Sequence, residues 1–329
     1  MKKHHTYKEL EARLNDILAE IKGENANSSD SKKAGIYRGA FWNHMKMGIP
    51  HNALSEGSDG SGGYLVPDEY DKRLIKKLSE KNVLRQLGQS IPTTHNLKIS
   101  TSFDDASGHW VDEGAPYSFD DLEFGQVIID AYKLGTMMLV SDEMLDDAGI
   151  DLEKYIEERF AESIGSSEEE AFAKGDGLCK PFGLIYQASV GAETSSLSID
   201  DTIDLIYSVR APYRKNGVFL MSDEAVSHLR KIKCHNGKPA WTGSLAEGEP
   251  LKLLGYPVFV SKAMDGISSG SIHVLFGDFS YYWIGDRGKR VIKRLSERFA
   301  DRGQVGYLTF ERVDAKLVMP GAIKSLKIK

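Results

Sequence analysis

Cysteine is scarce in this chain of 329 residues: Cys179 and Cys234 are the only two. Isolated thiols exclude a disulfide framework, and without paired short spacings they exclude a zinc knuckle, so both are read as reduced. Long apolar runs are missing too. No stretch approaches the roughly eighteen residues that a membrane span needs. The N-terminal MKKHHTYKELEARLN has no signal-peptide core, so the expectation is a chain made and kept in cytosol. G-x-S-x-G, H-E-x-x-H and Walker sequences are absent. The nine histidines are scattered, with three in the first fifty residues, which argues against a metal cluster. Cys179, Cys234-His235 and several Ser and Asp are nucleophile candidates on paper, but none is framed by a base and an orienting group. No catalytic, metal or cofactor-binding residue is therefore assigned. Positive charge is not in excess either: 42 basic and 48 acidic side chains give −6, which argues against a protein whose main task is gripping phosphate backbones.

What is present is ordinary for a folded, water-soluble protein, with 41% hydrophobic and 27% charged residues. The length suits two compact units or one large one. Thr6-x-x-Glu9 is a capping box, and Tyr7, Leu10, Leu14, Ile17 and Ile21 follow it at coiled-coil spacing until Gly23. A helix of about 16 residues, roughly 24 Å long, is marginal alone, so it needs either partner helices or docking on its own chain. A second amphipathic segment, Ala34–Met47, puts Tyr37, Phe41 and Met45 on one face and closes at Gly48 and Pro50. The Gly/Ser/Asp-rich run from His51 to Gly63 has no hydrophobic period and reads as an extended, protease-accessible hinge.

Beyond Tyr64, Pro67 stands at a helix start and Tyr70, Leu74 and Leu78 form a stripe to about Glu80. Val83–Val140 reads as strand-like alternation and turns. The clearest helix carries Leu152, Ile156, Phe160 and Ile164 and continues through Glu168–Phe172 to Gly175. Helices near Asp201–Val209 and Ser222–Lys233 alternate with strands Val218–Met221, Pro257–Val260 and Ile272–Phe276, and a last strand is expected over Ala315–Val318.

Charge is unevenly laid out. Ile99–Tyr132 holds eight acids, including Asp104, Asp105, Asp112, Glu113, Asp120, Asp121 and Glu123, and no Lys or Arg. Gly288–Lys329 holds eleven Lys or Arg against four acids; the candidate basic partner surface is Lys289, Arg290, Lys293, Arg294, Arg298, Arg302 and Arg312. Two opposite patches suit head-to-tail contact between copies; the alternative is two solvated faces of one subunit.

An ordered set of motifs carries a resemblance over Gly62 to the end. G-G-Y-L-V-P-D-E (Gly62–Glu69), K-N-V-L-R (Lys81–Arg85), W-V-D-E-G (Trp110–Gly114) and V-S-D-E-M-L (Val140–Leu145) come first. G-D-G-L-C-K-P-F-G-L (Gly175–Leu184), L-L-G-Y-P-V (Leu253–Val258), F-G-D-F (Phe276–Phe279) and F-E-R-V-D…P-G-A-I (Phe310–Ile323) follow. Together they resemble the shell protein of tailed phages of the Hong Kong 97 type.

The resemblance implies an α+β capsid fold: an N-terminal arm, an extended β-hairpin loop, a peripheral domain with a long spine helix, and an axial α/β domain. It assigns 1–50 to a delta-like scaffolding region, 51–66 to the arm and 67–90 to a peripheral helix and its connection. Residues 91–129 become the extended loop, 130–199 the peripheral domain, 200–296 the axial domain, and 297–329 strands returning to the peripheral domain. The candidate cleavage region is His51, Asn52, Ala53, Leu54, Ser55, Glu56 and Gly57.

The implied function is a precursor major capsid protein, assembled in the bacterial host cytoplasm into pentamers and hexamers of an icosahedral head. The implied partners are other copies, a portal protein, a maturation protease, a decoration protein and enclosed double-stranded DNA bound without sequence preference. No membrane and no cofactor is involved. An encapsulin shell and, more remotely, an α/β hydrolase are the alternatives. Some family members seal the shell with Lys–Asn isopeptide bonds. Here Gly303 and Phe310 stand where those carry the Asn and the assisting Glu, and no lysine lies between Lys98 and Lys133, so no cross-linking is expected. Residues 1–50 carry net +3, so their removal would take the subunit from −6 to −9.

Overall fold

The computed structural model describes residues 33–49, 51–57, 64–102, 124–146, 151–233, 237, 239–241 and 251–329. The coiled-coil seam Tyr7, Leu10, Leu14, Ile17 and Ile21 lies outside them, as do Cys234 and the acidic positions 104–123. Helices and strands in chain order begin with α1 (33–47), β1 (Tyr64–Leu65), α2 (Asp68–Lys81), α3 (Val83–Leu87), β2 (Gln89–Thr93), β3 (Leu97–Ser102) and β4 (Phe124–Ile129). Next are β5 (Tyr132–Ser141), α4 (Asp142–Asp146), α5 (Leu152–Lys174), α6 (Leu184–Gln187), β6 (Ser189–Thr194), α7 (Ile199–Ser208) and α8 (Ala211–Arg214). The chain closes with β7 (Val218–Met221), α9 (Asp223–Lys231), β8 (Lys252–Leu253), β9 (Tyr256–Val260), β10 (Ile272–Gly277), β11 (Tyr282–Arg287), β12 (Val291–Leu295), β13 (Gln304–Leu317) and β14 (Ile323–Ile328).

These elements group into two compact units. The first takes Met1–Lys72, Met137–Tyr155 and Val291–Leu308. In it α1 buries Phe41 and Met45 completely, and Gly48, at φ +73°, ends the helix with its N–H on the His44 carbonyl. β1 pairs antiparallel with β12, Tyr64 opposite Ile292. The hinge reading of 51–63 needs correction over 52–57, which form a short 3-10 helix. Leu54 is its apolar anchor, only 1% exposed, and the segment is wound rather than extended.

The second unit takes Arg73–Thr136, Ile156–Arg290 and Thr309–Lys329. The first residues past α2 are helical, not strand-like as the alternation from Val83 suggested. Asn82 caps α3 by accepting the Arg85 N–H at 3.1 Å, and Leu84 is buried. β6, β14, β10, β7, β9 and β8 form one sheet in that order. On β7 and β10, Leu220 and Leu275 face one core, with Phe172, Tyr282 and Ile323; Phe219, Met221, Val274 and Phe276 face the other, with Leu205 and Leu229. Both faces are covered, which is why these strands read as unbroken apolar runs. The expected last strand, Ala315–Val318, is the end of the longer β13. β14, in which the buried Ser325 and Leu326 separate the half-buried Lys324 and Lys327, is the last strand and lies parallel to β6.

The spine is α5, 23 residues long, with Ile156 and Phe160 fully buried and Ile164 nearly so. Gly165 lets α2 approach: a Cβ there would sit 3.2 Å from the Lys81 Cβ. No helix among the described residues is long and apolar enough to cross a membrane.

Candidate assembly surfaces

The extended hairpin loop that the resemblance implied over 91–129 is present at its root. β3 and β4 pair antiparallel from Leu97 opposite Ile129 to Ser102 opposite Phe124. β2, which leads into it, runs parallel to β11, so the hairpin leaves from the edge of a packed sheet. Both arms are tied at the base by β11 and β13. The Arg287 guanidinium donates to Asn96 Oδ1 at 2.7 Å and lies 3.8 Å from Asp130 Oδ1. Asp314 Oδ2 accepts the Asp130 N–H at 2.8 Å, and Oδ1 accepts that of Ala315. Burial raises the Asp314 carboxyl above its ordinary range, while these N–H donors pull it back. Gly285 leaves room for Ile129, whose Cγ2 would otherwise sit 2.6 Å from a Cβ. The acidic residues themselves, Asp104, Asp105, Asp112, Glu113, Asp120, Asp121 and Glu123, lie outside the described residues.

The basic set divides by burial. Lys289 and Arg312, in the second unit, are exposed. Arg298 and Arg302, in the first, are exposed as well, Arg298 resting 5.5 Å from the Phe299 ring. Lys293 is half-buried. Arg294 Nε donates to the Met45 carbonyl at 3.1 Å. Arg290 is only 4% exposed, and its Nε donates to Glu311 of the same chain at 2.6 Å. Of the seven, Lys289, Arg298, Arg302 and Arg312 are the exposed ones.

Beneath the hairpin root lies a charge cluster that sequence reasoning did not single out. Arg85, with a fully buried side chain, donates to both oxygens of Glu168 on α5 at 2.7 and 2.6 Å and to both oxygens of Asp286 on β11 at 3.0 and 2.7 Å. Arg290 stands 3.6 Å from Asp286 as well as on Glu311. Burial works against the Arg85 charge, but Glu168 and Asp286 hold it charged well above the ordinary arginine range. Burial likewise opposes the Asp286 carboxylate, and Arg85 and Arg290 outweigh it. Glu311 goes the other way: burial and the neighbouring Glu168 carboxylate push it well up against the pull of Arg290. The sequence signals were that Arg85 and Glu311 fall inside the K-N-V-L-R and F-E-R-V-D motifs and that Arg290 belongs to the basic set.

A carboxyl whose folded value is raised above its unfolded one contributes stability that is full below the unfolded value and is lost as pH climbs through the folded one. Glu311→Gln, which keeps the neutral shape, is expected to flatten this alkaline loss. Thermal melts of both proteins at pH 5 and pH 9 should show the variant gaining on the parent only at pH 9.

The G-D-G-L-C-K-P-F-G turn follows α5. The Gly183 N–H donates to the Gly175 carbonyl at 2.8 Å, and Asp176 bridges Phe182. A Cβ on Gly175 would lie 1.9 Å from the Pro181 carbonyl oxygen, and one on Gly183 2.5 Å from that of Ala173. The glycines let two backbones cross in contact. Cys179, within the turn, is exposed at φ +59°. Among the described residues no group of three or more His, Cys, Asp or Glu is placed to hold a metal ion.

The sequence model of the phage capsid family matches residues 62–328. The chain belongs to that family. The major capsid protein of Klebsiella oxytoca phage phiKO2 is 24% identical over 247 residues, which cover 70% of this chain and 57% of that protein. The major capsid protein of Escherichia phage T5 is 25% identical over 170 residues, 49% of this chain and 34% of that protein. The chain thus spans little more than half the length of one curated relative and a third of the other. A capsid chain of the native GTA particle is 28% identical with a TM-score of 0.64, over 74% of this chain and 89% of that one. A chain of Mycobacterium phage Adephagia, 16% identical with a TM-score of 0.57 over 75% of this chain and 90% of that one, shares the fold. The capsid-family match starts at residue 62, so α1 and the 3-10 segment belong to the part of the chain that lies outside it.

Proposed function

We propose that this chain is a major capsid protein whose copies form the pentamers and hexamers of an icosahedral head around double-stranded DNA. The observation that carries the reading is the capsid-family match over residues 62–328 on a chain whose fold carries a braced hairpin at a sheet edge. A hairpin tied to its own subunit at the base, by Arg287 and Asp314, suits a lever that crosses a neighbour. Its acidic segment would meet the exposed cations Lys289, Arg298, Arg302 and Arg312 of the next copy, and head-to-tail contacts of this sort tile a closed surface.

The role is structural rather than catalytic. Assembly in the host cytoplasm, a portal, a maturation protease and a decoration protein complete the proposal. A subunit at −6 suits a container that holds DNA without adhering to it, since each phosphate contact would add salt-dependent affinity. Nuclease treatment of particles purified from the producing cells tests the cargo. Protected duplex DNA of uniform length is the expected result; particles filled with protein and no DNA would favour the encapsulin reading.

A further inference from the structure

The sequence assigned residues 1–50 to a removable scaffold with a cut at 51–57, yet α1 is built into the first unit. Phe41 and Met45 are wholly buried, and Ala40 is nearly so. The Met45 carbonyl accepts two side-chain donors from the far end of the chain, the Tyr307 hydroxyl at 2.7 Å and Arg294 Nε at 3.1 Å. The Tyr37 hydroxyl donates to the Leu65 carbonyl at 2.7 Å, and the Trp42 ring meets that of Tyr70 edge-on at 5.2 Å. Arg38 pairs with Glu69 at 3.1 Å and Glu153 at 3.0 Å. Gly48 sits against the Arg294 guanidinium, a close approach that a side chain would obstruct.

These contacts reach β1, α2, the start of α5, β12 and β13. Removing α1 would strip the cover from Tyr70 and Tyr307, both fully buried, and leave the Tyr307 hydroxyl without its acceptor. Cleaving at 51–57 would also break a wound segment whose Leu54 is buried. An interior helix of this kind serves the tile itself.

We propose that residues 33–49 are a permanent part of the shell subunit, held as an intramolecular strap over the first unit, so that any scaffold removed during maturation ends before residue 33. The proposal rests on the capsid reading for its biological sense, although the docking does not. It also changes the charge argument: residues 1–32 carry six basic and six acidic side chains, so their loss leaves the subunit at −6 rather than −9.

Two measurements on the whole chain test this. Hydrogen exchange of the unassembled protein should show the amides of 40–47 protected at least a hundredfold over a free peptide, and exchange at the free-peptide rate would overturn the strap. Phe41→Asp in the full chain should raise trypsin cleavage after Arg38 and Lys46 at least tenfold, with cleavage after Arg230 on α9 unchanged. Equal cleavage at 38 and 46 in parent and variant would again overturn it. If the variant does not fold, the exchange result on the parent decides. Intact mass of subunits from mature particles then reads the boundary: chains starting at or before residue 33 are expected, and chains starting after residue 33 contradict it. Exchange reports docking whether or not particles form, so failure of the strap and failure of the capsid reading are distinguishable.

Discussion

Arg85→Met is expected to cost about 3–5 kcal/mol, enough to leave little folded protein, because it strands two carboxylates in the interior. Glu168 is fully buried and Asp286 is 82% buried at the side chain, and Arg85 makes paired hydrogen bonds to each. Arg290 is not able to replace it, since its Nε is already on Glu311 and it lies 3.6 Å from Asp286. Methionine restores most of the volume, so the loss measures charge compensation rather than a cavity. Lysine at 85 reaches one carboxylate but lacks the fork that serves both, so it should recover only part of the loss. Denaturant unfolding of the three proteins checks the order, with the parent most stable and Met least. A Met variant within about 1 kcal/mol of the parent would show that the cluster is not what joins α3, α5 and β11.

Gly175→Ala should be at least as damaging. The added carbon would fall 1.9 Å from the Pro181 oxygen and 2.5 Å from the Ala171 oxygen, and both belong to backbone that has no rotamer to change. The Gly175 N–H and carbonyl are both engaged, to Ala171 and Gly183, so the turn is unable to shift without releasing the end of α5. The expected loss exceeds about 4 kcal/mol, which would appear as an insoluble product. Gly321→Ala is the matched control, because nothing lies within 4 Å of its added carbon. It should stay within about 0.5 kcal/mol of the parent. Soluble yield and thermal melting of the two variants side by side test the steric argument.

What was legible in the sequence followed from local pattern. Tyr70, Leu74 and Leu78, and then Ile156, Phe160 and Ile164, announce α2 and α5 by spacing alone, and all six are buried at 1% exposure or less. The Tyr37, Phe41 and Met45 face predicted α1 and its closure at Gly48, but not what it packs on. Its partners Arg294 and Tyr307 come roughly 250 residues later. Distance in sequence also hid the charge cluster, for Arg85 meets Glu168 and Asp286 at separations of 83 and 201 residues. Each of these residues reads alone as an ordinary surface charge. Helix α3 was missed because five residues carry too little period to outweigh neighbouring strands, and Asn82 settles the matter by capping it. Leu54 is one apolar residue in a polar run, and no pattern could assign its burial. The basic C-terminal region shows the limit of counting charge. Arg290 and Arg294 add to the positive sum while being engaged within their own subunit.

Copies of this chain are expected to close into a shell through the hairpin rooted at 97–102 and 124–129. Electron cryomicroscopy of particles purified from producing cells tests it most directly. The expected map shows pentamers and hexamers in icosahedral order, with each hairpin lying across the next subunit. Small soluble oligomers with no closed particles, or a closed shell in which the hairpin folds back on its own subunit, would contradict it.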